Sequence, residues 1–198
     1  MKTITILQQK GGVGKTTLAL NIALYVAQTG AAVAMCDADA QGSLSAVSGM
    51  IEGLEFVRTN EVLARTVDAD LLVIDTSPRN DAELSRLLSL TDFALIPVKP
   101  GFLDVLAMRD TIAILSDVQA TRPDLKAGIV LNMVQHRNAI NRDADEMLKS
   151  FDTELLPVRI GQRVAYARTT LTNGVGNSQD EKAKEEIDQL VTLIFDRL

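Results

Sequence analysis

Lys10-Gly11-Gly12-Val13-Gly14-Lys15-Thr16-Thr17 decides how this chain is read. It follows a β-rich alternating run, Thr3-Ile4-Thr5-Ile6-Leu7, and opens an apolar helical stretch with Leu18, Leu20, Ile22, Ala23 and Val26. Strand, glycine turn and helix in that order make a phosphate cradle. Glycines let successive backbone N–H groups turn inward, and the helix N-terminus adds partial positive charge. In such a loop Lys15 neutralises the β- and γ-phosphates, and the Thr16 hydroxyl ligates Mg²⁺. The general pattern also has a glycine where this chain has Gln9, and a second lysine, Lys10, stands ahead of the glycine pair. A turn that needs only to be tight requires neither Lys15 nor Thr16.

The string sits in a chain of 198 residues, 46% apolar and 23% charged. That is the make-up of a folded protein long enough for one full core. No repeat, low-complexity tract or linker divides it, so one domain spanning 1–198 is expected. The N-terminus runs straight into the first strand without a signal-peptide pattern. No apolar run reaches bilayer-spanning length, and the expected location is the cytoplasm. The one cysteine, Cys36, excludes an intrachain disulfide and reads as a buried small hydrophobe.

Apolar runs alternate with helical patterns throughout, the signature of βαβ units: an α/β, doubly wound, mostly parallel sheet with helices on both faces. Strands are expected over Lys2–Leu7, Ala32–Cys36, Leu54–Val57, Leu71–Ile74, Phe93–Pro97, Ala127–Leu131 and Leu155–Val158. Helices are expected over Lys15–Gln28, Asp81–Leu90, Asp104–Gln119, Asn138–Ser150, Arg163–Leu171 and Asp180–Arg197. Two carboxylates, Asp37 and Asp39, follow the second strand, where doubly wound sheets place their ligands. Leu71-Leu72-Val73-Ile74-Asp75 is an apolar strand ending in aspartate, a Walker B pattern whose Asp75 holds Mg²⁺ through water.

The Lys10–Thr17 string resembles the deviant Walker A motif of the ParA/MinD family of P-loop ATPases. The resemblance spans nearly the whole chain, with most of its force in 6–41 and 71–100. It implies that Lys10 reaches across an ATP-dependent homodimer to the partner's phosphates, while Gly11, Gly12, Val13, Gly14, Lys15, Thr16 and Thr17 wrap the nucleotide. Asp37-Ala38-Asp39-Ala40-Gln41 resembles the family's Asp-x-Asp-Pro-Gln segment, with Ala40 in place of proline. On that likeness Asp39 positions or activates the attacking water and Asp37 assists near Mg²⁺. Thr76-Ser77-Pro78 resembles the switch segment. Ile96–Pro100 with Leu103-Asp104 resembles the loop bordering nucleotide and dimer interface, and Asn132 matches the position that reads the adenine edge. The lone cysteine weighs against the iron–sulfur members of the superfamily, which pair cysteines at an interface. His136 has no second ligand near it in sequence and reads as a solvated loop residue.

The net charge is −6, which argues against wholesale nucleic-acid binding, yet distribution matters more than the sum. Leu155–Gln179 contains no acidic residue and carries Arg159, Arg163 and Arg168. These, with Arg137, Arg142 and Lys149, are the candidates for nonspecific DNA contact. Arg163 and Arg168 have an alternative, facing the nucleotide or the dimer partner. The expected function is a ParA-type ATPase that pairs on ATP, coats DNA and lets go when a centromere-binding or adaptor protein stimulates hydrolysis. Alternatives are a membrane-cycling MinD-like protein and a metabolic P-loop enzyme. For the former, the apolar stripe Ile187, Leu190, Val191, Ile194, Phe195 and Leu198 would have to meet lipid. Its polar face carries Glu185, Glu186, Asp188 and Asp196, which anionic membranes repel, so core packing is expected instead.

Overall fold

The first strand, β1 (Lys2–Ile6), has its side chains buried on both faces beyond Lys2, and the sheet is built around it. The computed structural model describes residues 1–39, 44, 46–78, 82–135 and 139–198. Among these, seven parallel strands form one sheet in the order β3-β2-β4-β1-β5-β6-β7. The others are β2 (Val33–Ala38), β3 (Glu55–Val57), β4 (Leu71–Thr76), β5 (Phe93–Val98), β6 (Lys126–Val134) and β7 (Glu154–Gly161). Side chains alternate between faces with period two. Phe93 and Leu95 join the core under one helix layer, while Ala94, Ile96 and Val98 join the core on the other. Burial on both faces is why β4 and β5 read as uninterrupted apolar runs.

One layer holds α1 (Lys15–Ala27), α7 (Val164–Ala167), α8 (Thr169–Thr172) and α9 (Glu181–Phe195). The opposite layer holds α2 (Thr59–Ala64), α3 (Ala82–Leu88), α4 (Phe102–Leu106), α5 (Met108–Gln119) and α6 (Ala139–Leu148). Along α9, Ile187, Leu190, Val191 and Ile194 are buried against α1 and β7. These four residues of the C-terminal stripe are therefore core, while Phe195 is exposed and Leu198 half-buried. Among the described residues no helix is long and apolar enough to cross a membrane.

From β1 the chain passes through α1 to one side of the sheet, and from β4 it passes through α3 to β5 on the other side. The strand order reverses there, and ligands of such sheets bind beyond the carboxyl ends of the strands at that point.

Several element boundaries differ from expectation. The expected helix over Asp104–Gln119 is two helices, α4 and α5, broken at Ala107, and the one over Arg163–Leu171 is α7 and α8, broken at Arg168. Strands β2, β4 and β6 run two to three residues further than expected, so Asp37, Asp75 and Asn132 lie inside strands. The six-residue α2 buries only Val62 and was not expected. Ala40, Gln41, Asp81, His136, Arg137 and Asn138 lie outside the described residues.

Candidate functional site

The connection from β1 to α1 carries Lys10–Thr17. Gly12 and Gly14 have left-handed backbones, φ +70° and +87°, which side-chain-bearing residues rarely adopt. A Cβ on Gly14 would also lie 2.5 Å from Asn132 Nδ2. The stem below is braced by Gln8, which is completely buried. Its Oε1 accepts from the Thr111 hydroxyl (2.7 Å) and the Lys10 N–H (3.2 Å), and its Nε2 donates to the Pro97 carbonyl (3.3 Å). The Gln9 N–H donates to Thr111 Oγ1 at 3.1 Å. Three of these bonds hold the loop's entry against β5 and α5, and the fourth ties Lys10 to its own stem. Neither Gln8 nor Thr111 stood out in the sequence, because a polar residue after a strand or within a helix gives no sign of its burial.

Lys15 opens α1 and is almost fully buried; its ammonium donates to the Lys10 carbonyl at 3.4 Å. Burial pushes its pKa down, while the charges of Asp75 and Asp39 pull it back up. Thr16 Oγ1 donates to Asp75 Oδ2 at 2.5 Å, and Asp75 Oδ1 is buried without a hydrogen-bond partner among the described residues. Burial raises the Asp75 pKa to about 7, against the opposing Thr16 hydrogen bond. Asp37 pairs with Asp75 across β2 and β4. Its Oδ1 accepts from the Asp39 N–H and its Oδ2 from the Leu44 N–H, each at 3.0 Å. Lys15, Thr16, Asp37, Asp39 and Asp75 therefore meet at one end of the central strands.

A buried carboxylate oxygen with no donor is an expensive arrangement unless something fills it. The chemistry of the set, one hydroxyl and one carboxylate beside a phosphate cradle, suits Mg²⁺, which takes one or two protein ligands plus phosphates and water. Among the described residues no three His, Cys, Asp or Glu side chains gather as an all-protein metal cage, and Mg²⁺ does not require one.

Lys10 does not point into solvent. Its ammonium pairs with Asp104 Oδ1 of α4 at 2.8 Å. Phe102 and Leu103, neighbours of Asp104, are 64% and 69% exposed. Thr76 is buried and donates to the Ile6 carbonyl at 2.7 Å, tying β4 to β1.

On the other flank, Asn132 is buried under the loop. Its Nδ2 donates to the Val13 carbonyl (2.7 Å), and its Oδ1 accepts from the Met133 N–H (2.9 Å). Met133 has φ +55°, and the β6–β7 ladder is irregular between Leu131 and Val134. That bulge turns Asn132 towards the loop. Beside it opens a cavity of about 520 Å³ lined by Thr17, Asn132, Met133, Arg163 and Tyr166, among others.

The three arginines expected to face DNA differ. Arg159 pairs with Asp145 of α6 (2.5 Å), and Arg163 with Glu186 of α9 (2.6 Å). Arg168 is exposed and has no ion pair among the described residues. Lys149 pairs with Glu146 at 2.7 Å.

Residues 4–174 match the family described as the CobQ/CobB/MinD/ParA nucleotide binding domain. The maintenance of carboxysome distribution protein A of Halothiobacillus neapolitanus is 31% identical over 210 residues, covering 98% of this chain and 96% of that protein. Among solved structures, the Cyanothece apo McdA superposes with a TM-score of 0.80 at 16% identity, covering 98% of this chain and 99% of the other. A plasmid partition protein of Borrelia burgdorferi bound to AMPPNP superposes with a TM-score of 0.76 at 18% identity, covering 100% and 99%. At these identities the two structures speak for the fold alone.

Proposed function

The chain belongs to the CobQ/CobB/MinD/ParA nucleotide-binding family, and we propose that it is a Mg²⁺-dependent ATPase switch of the ParA type. It pairs on ATP, holds DNA nonspecifically while paired, and lets go when an adaptor protein stimulates hydrolysis. The observation that carries this reading is the meeting of Lys15, Thr16 and the unpartnered Asp75 Oδ1 below a loop whose second lysine, Lys10, borders an exposed apolar helix. The AMPPNP bound to the Borrelia relative supports a nucleoside triphosphate as ligand.

In this reading the loop N–H groups and Lys15 hold the β- and γ-phosphates. Thr16 and Asp75 hold Mg²⁺, which offsets phosphate charge when bound. Asp39, tied through its N–H to Asp37, orients the attacking water in line with the γ-phosphate. Lys10 leaves Asp104 to reach the partner's phosphates, so that charge developing in the transition state meets two lysines. The cavity beside Asn132 takes the base, with the Asn132 amide at its edge.

Arg168 is the arginine best suited to DNA phosphates. Arg159 can join it, because an ion pair this exposed is worth only about 0–1 kcal/mol and a phosphate can compete for it. The name of the Halothiobacillus relative supports a protein assembly, rather than a replicon, as the cargo.

The test is ATP turnover measured with and without nonspecific DNA and with liposomes, beside Lys15→Ala. The reading expects slow basal turnover, DNA retention only with ATP, no liposome binding, and loss of all nucleotide-dependent behaviour in Lys15→Ala. Stimulation by a small metabolite, with indifference to DNA, would move the protein to the metabolic enzymes.

A further inference from the structure

We propose that Glu186, on the C-terminal helix α9, is a positioning residue for the nucleotide base, fixing residues 161–167 as the wall of the cavity beside the phosphate loop. This rests on the reading of that cavity as the base site. The carboxylate collects four donors from one short segment. Its Oε1 accepts from Arg163 Nε (2.9 Å) and Nη2 (2.6 Å), and its Oε2 from the Gly161 N–H (3.1 Å) and the Tyr166 hydroxyl (2.9 Å). The Tyr166 hydroxyl also lies 3.2 Å from the Ala183 carbonyl, a second tie to α9.

All three partners, Gly161, Arg163 and Tyr166, line the cavity. The fit is close: a Cβ on Gly161 would lie 3.1 Å from both Arg163 Nε and Glu186 Oε1. Among the described residues, the other acidic partner of Arg163 is Asp180, at 3.8 Å.

Two consequences follow from the chemistry. A half-buried carboxylate with four charge-assisted or neutral donors is rigid, so the wall stands before nucleotide arrives and little ordering is lost on binding. The carboxylate also cancels the Arg163 charge at a cavity that adjoins the triphosphate cradle. An uncompensated guanidinium there would attract phosphate into the space meant for a neutral heterocycle. Glu186 thus favours a base over a second anion.

The experiment compares dissociation constants for Mg-ATP and for Mg-tripolyphosphate, which has the phosphates without base or ribose. Wild type is expected to prefer ATP. Glu186→Ala should weaken ATP about tenfold and leave tripolyphosphate equal or tighter, so the ratio falls, and Glu186→Gln should lie between. Tyr166→Phe, which removes one hydrogen bond and leaves the ring in place, should lower the ratio about threefold and serves if Glu186→Ala fails to fold. A ratio unchanged from wild type in these variants, even with a lower melting temperature, overturns the role of Glu186. Wild type that binds both ligands equally overturns the base-site reading itself, and the proposal with it.

Discussion

At the scale of single residues the sharpest prediction comes from Asp75. Its place after four apolar residues marks it in the sequence. Its unpartnered Oδ1 and its pKa, raised to about 7 by burial, emerge only when β2, β4 and α1 close around it. With the folded pKa above the unfolded value, the native state holds the extra proton between about pH 4 and pH 7. Stability of the metal-free protein should therefore fall across that window as pH rises, by roughly 1 kcal/mol per unit from this group. Asp75→Asn should remove that slope, and denaturant melts at a series of pH values without Mg²⁺ will read it. Equal slopes in both proteins would contradict the assignment. Gly14 offers a second test at this scale. Gly14→Ala adds a Cβ 2.5 Å from Asn132 Nδ2 at φ +87°, and nucleotide binding measured by calorimetry should be lost. Gln8 and Glu186 were beyond sequence reading, since a glutamine after a strand and a glutamate on an acidic helix look solvated until partners from distant segments reach them.

At the scale of elements, the loop between β1 and α1 was legible because strand, glycines and helix leave only one chemistry for two lysines and a threonine. The break at Ala107 was not. Apolar residues keep helical spacing through Val105, Met108, Ile112 and Leu115, so periodicity runs on while the axis is interrupted. The interruption serves two contacts: α4 presents Asp104 to Lys10, and α5 presents Thr111 to Gln8. The extension of β6 was hidden for a similar reason, because Met133 at φ +55° belongs to a bulge that only the neighbouring strand defines. On the proposed reading, pairing would first have to undo the Lys10–Asp104 ion pair. Asp104→Ala should lower the ATP concentration at half-maximal dimerisation several-fold. Analytical ultracentrifugation across an ATP series measures this, and an unchanged midpoint would show that the contact does not hold Lys10 back.

For the whole molecule, alternation of apolar runs and helical patterns was enough for the parallel sheet with two helix layers, since burial on both faces writes itself into strand composition. The order of strands and the fate of surface charge were not legible. Arg159, Arg163 and Arg168 share an acid-free stretch, yet α6 and α9 bring Asp145 and Glu186 to two of them from outside it. Arg168→Glu should therefore weaken ATP-dependent DNA retention and reduce the dependence of log affinity on log salt by about one. ATP binding should stay unchanged, and filter binding over a salt series measures the slope. The claim beneath all of these is that triphosphate, held from below by Lys15 and across the interface by Lys10, joins two copies of the chain. Light scattering on Asp39→Ala with Mg-ATP and with Mg-ADP tests it most directly. A mass twice the monomer with ATP and the monomer mass with ADP is the predicted result. One mass under both conditions would contradict the account.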